Sequence, residues 1–245
     1  MLAPDLSDRT ALVTGSAKGV GRELLLAVAA CGADVAVHYR TSDAAAADVA
    51  DRAREDGVDA ITVQGDVTGP DDVDALFSTV EERLGTVDVL VNNVGAFAPV
   101  HWEEMDFETW QRVLETNLNG TYLCSKRALP GMRAAGDGRI VNVGYASADR
   151  ALVSPKNFPY FVAKTGVSMF TRMLAGDTAD DGITVNAVSP YVVENSEEFP
   201  DDLPRGRPAA FADLIQPTLF FLAPDSDYVS GANVEVSGGW VPERV

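Results

Sequence analysis

Lysine is scarce in this chain: Lys18, Lys126, Lys156 and Lys164 are the only four in 245 residues. Basic residues number 19 in all against 37 acidic ones, for a formal charge of −18. A surface this negative repels phosphate backbones and anionic headgroups, which argues against nucleic-acid and membrane partners. Cysteine is sparse too. Cys31 and Cys124 each sit in an apolar pattern, which excludes a disulfide framework and reads as two reduced core thiols of a cytoplasmic protein. No apolar run approaches the roughly 20 residues needed to span a bilayer. The start, MLAPDLSDRT, lacks a basic stretch followed by an apolar core, so export is not expected. No Cys, His and Asp cluster has metal-ligand spacing, so no metal is expected. The Asp- and Ala-rich, Lys-poor composition fits a GC-rich genome or a salt-adapted host.

What the chain does have is alternation. Strand signals at 11–15, 33–39, 60–67, 87–93, 138–144, 182–190 and 233–239 are separated by helical periods, among them about 104–134, 159–178 and 209–223. Strands apolar on both faces, alternating with helices, predict a parallel sheet covered on both sides, doubly wound by right-handed crossovers. No linker, composition break or repeat interrupts residues 1–245, so one domain is expected. In such sheets ligands bind beyond the carboxyl ends of the strands, so the segments just after each strand matter most.

The first of these segments is TGSAKGVG, Thr14 to Gly21. Its glycines, Gly15, Gly19 and Gly21, are spaced G-x-x-x-G-x-G, which differs from the G-x-G-x-x-G fingerprint. The physics can be the same: a sharp turn, close backbone approach to a pyrophosphate, and free amides at a helix N-terminus. After the second strand come Arg40, Thr41 and Ser42, with no acid before Asp43. An acid there would bind a ribose 2′-hydroxyl, whereas an arginine accommodates a 2′-phosphate. Arg40 and Lys18 together therefore favour NADP(H). Tyr160 and Lys164, four apart on a predicted helix, share one face. A phenol near pKa ~10 is a poor base, but a nearby ammonium lowers that value and makes it a usable acid or base.

In order along nearly the whole chain, TGSAKGVG, GDV (65–67), NNVG (92–95), TNLNG (116–120), GRIVNV, YFVAK and ITVNAVSP resemble the short-chain dehydrogenase/reductase family. The resemblance implies a Rossmann-type seven-stranded sheet of order 3-2-1-4-5-6-7 and NADP(H)-dependent chemistry on a small carbonyl or alcohol substrate. It implies that Gly15, Ser16, Lys18, Gly19, Val20 and Gly21 hold pyrophosphate, and that Asp66 and Val67 meet adenine. Asn92, Asn93 and Gly95 would stabilise the sheet and line the cofactor, with Pro190 and Val192 closing over the nicotinamide. Asn117 would hold a relay water, Tyr160 would be the acid/base, and Lys164 would bind ribose and lower the tyrosine's pKa. It further implies a homotetramer, or a homodimer, with the helices at about 104–134 and 159–178 at an interface.

Two departures stand out. The family's serine after the fifth strand falls on Tyr145 by the motif IVNVGY, and on Ser147 by counting back from Tyr160, so a two-residue insertion is expected somewhere in ASADRALVSPKNFP, residues 146–159. After Pro190 the family's usual glycine is Tyr191, and the lid at about 191–208 is short and acidic, with Glu194, Glu197, Glu198, Asp201 and Asp202. His101 and Trp102 lie on the ligand side and read either as packing or as substrate lining. The leading expectation is a ketone or oxoacyl reductase; the alternatives are a pteridine- or imine-type reductase, or a non-redox dehydratase or cyclase on this scaffold.

Overall fold

Short apolar runs without a polar face form strands when both sides of the sheet are covered. In the computed structural model, which describes residues 3–148, 155–196 and 199–240, the strands are β1 (Thr10–Val13), β2 (Asp34–Tyr39), β3 (Ala60–Gln64), β4 (Val89–Asn92), β5 (Gly138–Val143), β6 (Ile183–Pro190) and β7 (Asn233–Val236). All pair in parallel, as the strand pattern predicts, in the order β3-β2-β1-β4-β5-β6-β7 that the family resemblance implies.

The helices are α1 (Gly19–Ala29), α2 (Asp43–Arg54), α3 (Pro70–Arg83), α4 (Phe107–Leu114), α5 (Gly120–Ala135), α6 (Phe158–Asp177) and α7 (Phe211–Leu222). Period-two alternation splits the strand side chains between two cores. Ala11, Val13, Val35, Val37, Val89 and Val91 face α1, α2 and α7, packing with Leu24, Val49 and Phe221. Leu12, Ala36, Leu90 and Ile140 face α3, α5 and α6, packing with Phe77, Met132 and Leu174. Among the described residues, no helix is long and apolar enough to cross a membrane.

The predicted helix at 104–134 is shorter at its start and interrupted. It begins at Phe107, where Asp106 accepts the Thr109 backbone N–H at 2.7 Å. A π-turn over Glu115–Asn119 separates α4 from α5. Such a turn inserts one residue into the helical register and re-aims the side chains on it, here including the buried Asn117. At the other end Gly136, at φ 68°, closes α5 in the left-handed conformation that favours glycine.

Of the predicted lid, only the 3-10 turn Pro204–Gly206 is helical among the described residues, and Val193 pairs with Ala209 across it. Among the described residues, its acids do not act as one cluster. Glu194 accepts the Phe211 backbone N–H at 2.8 Å and so holds the start of α7, Asp201 and Asp202 are exposed, and Glu197 and Glu198 lie outside the described residues.

Candidate active site

The sheet order reverses beside β1 and β4, and the glycine turn lies there. Gly15 (φ 67°) and Gly19 (φ 58°) are both left-handed. A Cβ on Gly21 would lie 2.6 Å from the Gly15 carbonyl oxygen, so only glycine lets α1 start this close to the turn. Lys18 precedes α1 in an extended conformation and no side chain caps the helix, which leaves its first amides open.

The turn is held from behind by residues that the sequence reading did not single out, or read as cofactor contacts. His38 on β2 is buried, and its Nδ1 accepts the Gly15 N–H at 2.8 Å. Its Nε2 donates to the Gly65 carbonyl at 3.1 Å, so one neutral imidazole ties the turn to β2 and to the end of β3. Burial pushes the His38 pKa down, which keeps that ring neutral. Ser16 Oγ accepts the His38 backbone N–H at 3.0 Å, and Asn93 Nδ2 donates to the Thr14 carbonyl at 2.9 Å. A histidine within the apolar run VAVHY was the available signal for this post.

In front of the turn opens a cavity of about 330 Å³, lined by Lys18, Arg40, Thr41, Ser42, Asp66, Val67 and Gly95 among others. Arg112 also lines it and was not anticipated. Arg40 is largely exposed and its Nη1 lies 3.3 Å from Asp66 Oδ2. Asp43, the first acid after β2, accepts the Tyr39 hydroxyl at 2.8 Å. Glycine backbone, open amides, three cations and hydroxyls at the rim form a donor set that fits a phosphorylated dinucleotide. Val192 does not join it: it lines a separate cavity of about 470 Å³ with Leu203, Arg205 and Arg207. Pro190 is the last residue of β6.

Tyr160 and Lys164 stand one turn apart on α6, with the Lys164 ammonium 5.7 Å from the Tyr160 ring centroid. Lys164 is buried, donates to the Val143 carbonyl at 2.7 Å, and burial lowers its pKa to about 8. The sequence predicts a lowered tyrosine; in the folded protein burial instead pushes the Tyr160 phenol up. The desolvation of both groups outweighs their attraction while the ammonium is turned to a backbone carbonyl.

Asn117 Nδ2 donates to the Ala96 and Val113 carbonyls at 2.7 and 2.8 Å, while its Oδ1 is buried with no partner among the described residues. A Cβ on Gly95 would lie 3.0 Å from that Oδ1 and 3.8 Å from Lys164 Nζ. The absent side chain of Gly95 thus leaves space beside both the unpaired amide oxygen and the ammonium, and Gly95 also lines the cavity. Asn92 is structural: it donates to Ser125 Oγ and Asn142 Oδ1, tying β4 to α5 and β5.

The two candidates for the serine position go different ways. Ser147 is fully buried at φ 62°, its N–H donates to Glu235 Oε1 on β7 at 3.0 Å, and its Oγ has no partner among the described residues. Tyr145 instead meets Tyr160 edge to face, ring centroids 5.6 Å apart. Within the stretch expected to hold the insertion, residues 146–159, residues 149–154 lie outside the described residues. Burial, then Tyr160 and Tyr191, push the Tyr145 phenol up, so it stays protonated as a donor. Phe97 also packs edge to face on Tyr160 at 5.2 Å, and Trp240 stacks on Tyr191 at 3.9 Å. Neither was foreseen, although each follows a strand end. His101 pairs with Lys156 in an isolated bridge, and Trp102 stacks on Phe158 at 6.2 Å.

Comparison with known proteins agrees with this geometry. The family profile described as short chain dehydrogenase matches residues 9–200. A 3-oxoacyl-[acyl-carrier-protein] reductase of Synechocystis is 36% identical over 245 residues, covering 96% of this chain and 98% of that protein. The crystal structure of a gluconate 5-dehydrogenase from Burkholderia cenocepacia in complex with NADP and tartrate has a TM-score of 0.88 at 30% identity, covering 96% and 95% of the two chains. That of the landomycin C-6 ketoreductase with bound NADP and rabelomycin gives 0.87 at 32%, covering 96% and 97%.

Proposed function

We propose that this chain, which belongs to the short-chain dehydrogenase family, is an NADPH-dependent carbonyl reductase. One observation carries the reading: Gly95 joins the two halves of the site, lining the cavity with Lys18 and Arg40 while the space its missing Cβ leaves open lies beside both Asn117 Oδ1 and Lys164 Nζ. When bound, NADPH supplies a hydride to a carbonyl carbon. Lys18, Arg40, Thr41 and Ser42 hold its phosphorylated ribose, and the Gly15–Gly21 turn holds the pyrophosphate. Tyr160 gives its phenolic proton to the carbonyl oxygen as the C=O bond becomes an alcohol. Tyr145 donates a hydrogen bond to the same oxygen in the post the family gives to serine. Lys164 stabilises the phenolate left behind, and a water between Asn117 Oδ1 and Lys164 returns the proton. Burial pushes the Tyr160 phenol up, which keeps it protonated and able to donate.

NADP-bound relatives and reductase-named relatives support the reading. Titration of NADPH and NADH by fluorescence, followed by loss of NADPH absorbance with a panel of ketones, tests it. NADPH is expected to bind more tightly than NADH and to be oxidised; tighter NADH binding overturns the Arg40 and Lys18 assignment, and binding without turnover would favour non-redox chemistry instead. The reading includes a homo-oligomer, which is supported by the exposed apolar residues Tyr122 on α5 and Val162, Met169 and Met173 on α6. It also keeps the expected cytoplasmic location.

A further inference from the structure

We infer that the substrate is a planar, fused-ring carbonyl compound, held flat among aromatic side chains, rather than a flexible acyl chain or a polyol. This rests on the carbonyl-reductase reading and names the substrate class of that same site. Each of four successive strands of the sheet is followed, within five residues, by an aromatic residue that joins one cluster around Tyr160. Phe97 follows β4, Tyr145 follows β5, Tyr191 follows β6, and Trp240 follows β7. Phe97 and Tyr145 meet the Tyr160 ring at 86° and 77°, and Tyr191 and Trp240 lie parallel within 10°, both within 6.3 Å of Tyr145.

An ordinary core cluster would be closed to solvent. These rings are not: Phe97 is 53% exposed, and Tyr145, Tyr160, Tyr191 and Trp240 are all partly accessible. They sit at the carboxyl ends of the strands, where ligands of such sheets bind. A carbonyl oxygen that reaches the Tyr160 hydroxyl brings the rest of its molecule against these faces. Flat π-systems gain from stacked and edge-to-face contacts beyond the area they bury. A rigid fused ring has little conformational entropy to lose, whereas a flexible acyl chain loses several rotors for the same contact.

The test uses the full chain with three ketones: 2-tetralone, its saturated counterpart trans-2-decalone, and the acetoacetyl thioester of N-acetylcysteamine. The first two share a skeleton and a carbonyl position and differ in having a flat ring. kcat/KM for 2-tetralone is expected to exceed that for trans-2-decalone, and that for the thioester, by about tenfold, the size of one or two ring contacts. Replacing both outer rings (Tyr191→Ala with Trp240→Ala) is expected to erase the difference between the bicyclic ketones. Equal values in the unaltered protein, or preference for either of the other two, overturn the proposal. A second readout needs neither turnover nor an intact double variant. Addition of 2-tetralone is expected to quench tryptophan emission saturably, and Trp240→Phe is expected to lose that quenching; no saturable quenching overturns the proposal as well. If quenching occurs but none of the three ketones oxidises NADPH, the carbonyl-reductase reading fails while the planar-ligand site stands.

Discussion

Replacing Tyr145 by phenylalanine removes one oxygen and leaves the ring in place. Tyr145 packs against Tyr160, Phe161, Tyr191 and Trp240 at centroid distances of 5.4 to 6.3 Å, contacts that phenylalanine repeats. Stability should therefore change little, and any loss of rate belongs to the hydroxyl. A donor aimed at an oxygen that gains charge in the transition state is worth about 3 kcal/mol, or about a hundredfold in kcat. Because that bond strengthens during reaction, kcat and kcat/KM should fall together. Ser147→Ala is the counterpart. Its Oγ is buried without a partner among the described residues, and burying an unbonded hydroxyl costs about 1–3 kcal/mol. Its removal should leave kcat within about twofold and raise Tm by about 2 °C per kcal/mol recovered, given the unfolding entropy of a chain of 245 residues. Initial rates of NADPH loss and thermal melts of the two purified variants decide the matter. A hundredfold loss in Ser147→Ala with Tyr145→Phe unimpaired would refute the assignment.

Four further outcomes follow from the same geometry. Reductive kcat/KM should be level below pH 8 and decline as pH rises through about 8, where Lys164 loses its charge in the free enzyme; Lys164→Arg, charged throughout, should shift that decline upward in a pH-rate profile, and an unmoved decline would exclude Lys164 as its source. His38 has a folded pKa below its ordinary 6.5, so its contribution to stability is complete above that value and is lost as pH falls below it, when the unfolded chain takes up the proton first; denaturant titrations of wild type and His38→Leu should diverge above pH 6.5 by about 1–3 kcal/mol and converge at lower pH. Gly21→Ala sets a Cβ against the Gly15 carbonyl oxygen and should weaken NADPH binding by about a hundredfold or more, read by fluorescence titration. Gly176→Ala, at an exposed α6 position with nothing within 4 Å of the added carbon, should instead raise stability by about 1 kcal/mol.

How much of this was legible in the chain depended on whether the information was local. The strands were, because runs such as TALV and ITVNAVSP carry apolar residues on both faces, which leaves parallel pairing under helices as the way to bury them. The glycine turn and the Tyr160 and Lys164 pair were legible because each spans eight residues or fewer. The direction of the tyrosine's pKa was not, since it depends on how deeply α6 buries both groups. Nor was the choice between Tyr145 and Ser147, which turns on Glu235 of β7 accepting the Ser147 amide from 88 residues away. The aromatic cluster is the furthest from local: Phe97 and Trp240 come together only through the sheet order.

The post taken by His38 has a consequence for redesign. One imidazole braces the glycine turn, and two residues later, just past the end of the same strand, comes Arg40, which we propose meets the 2′-phosphate. The brace and the selector are thus neighbours on one rail but answer to different demands. Residues 40–42 form an exchangeable tip: an acid placed there could invert the choice between the two nicotinamide cofactors without touching the turn. A transplant of the whole strand end from an NAD-selective protein would take the brace as well, and would trade one preference for a loosened site that holds neither cofactor well. Grafts that begin after Tyr39 should succeed where longer ones fail.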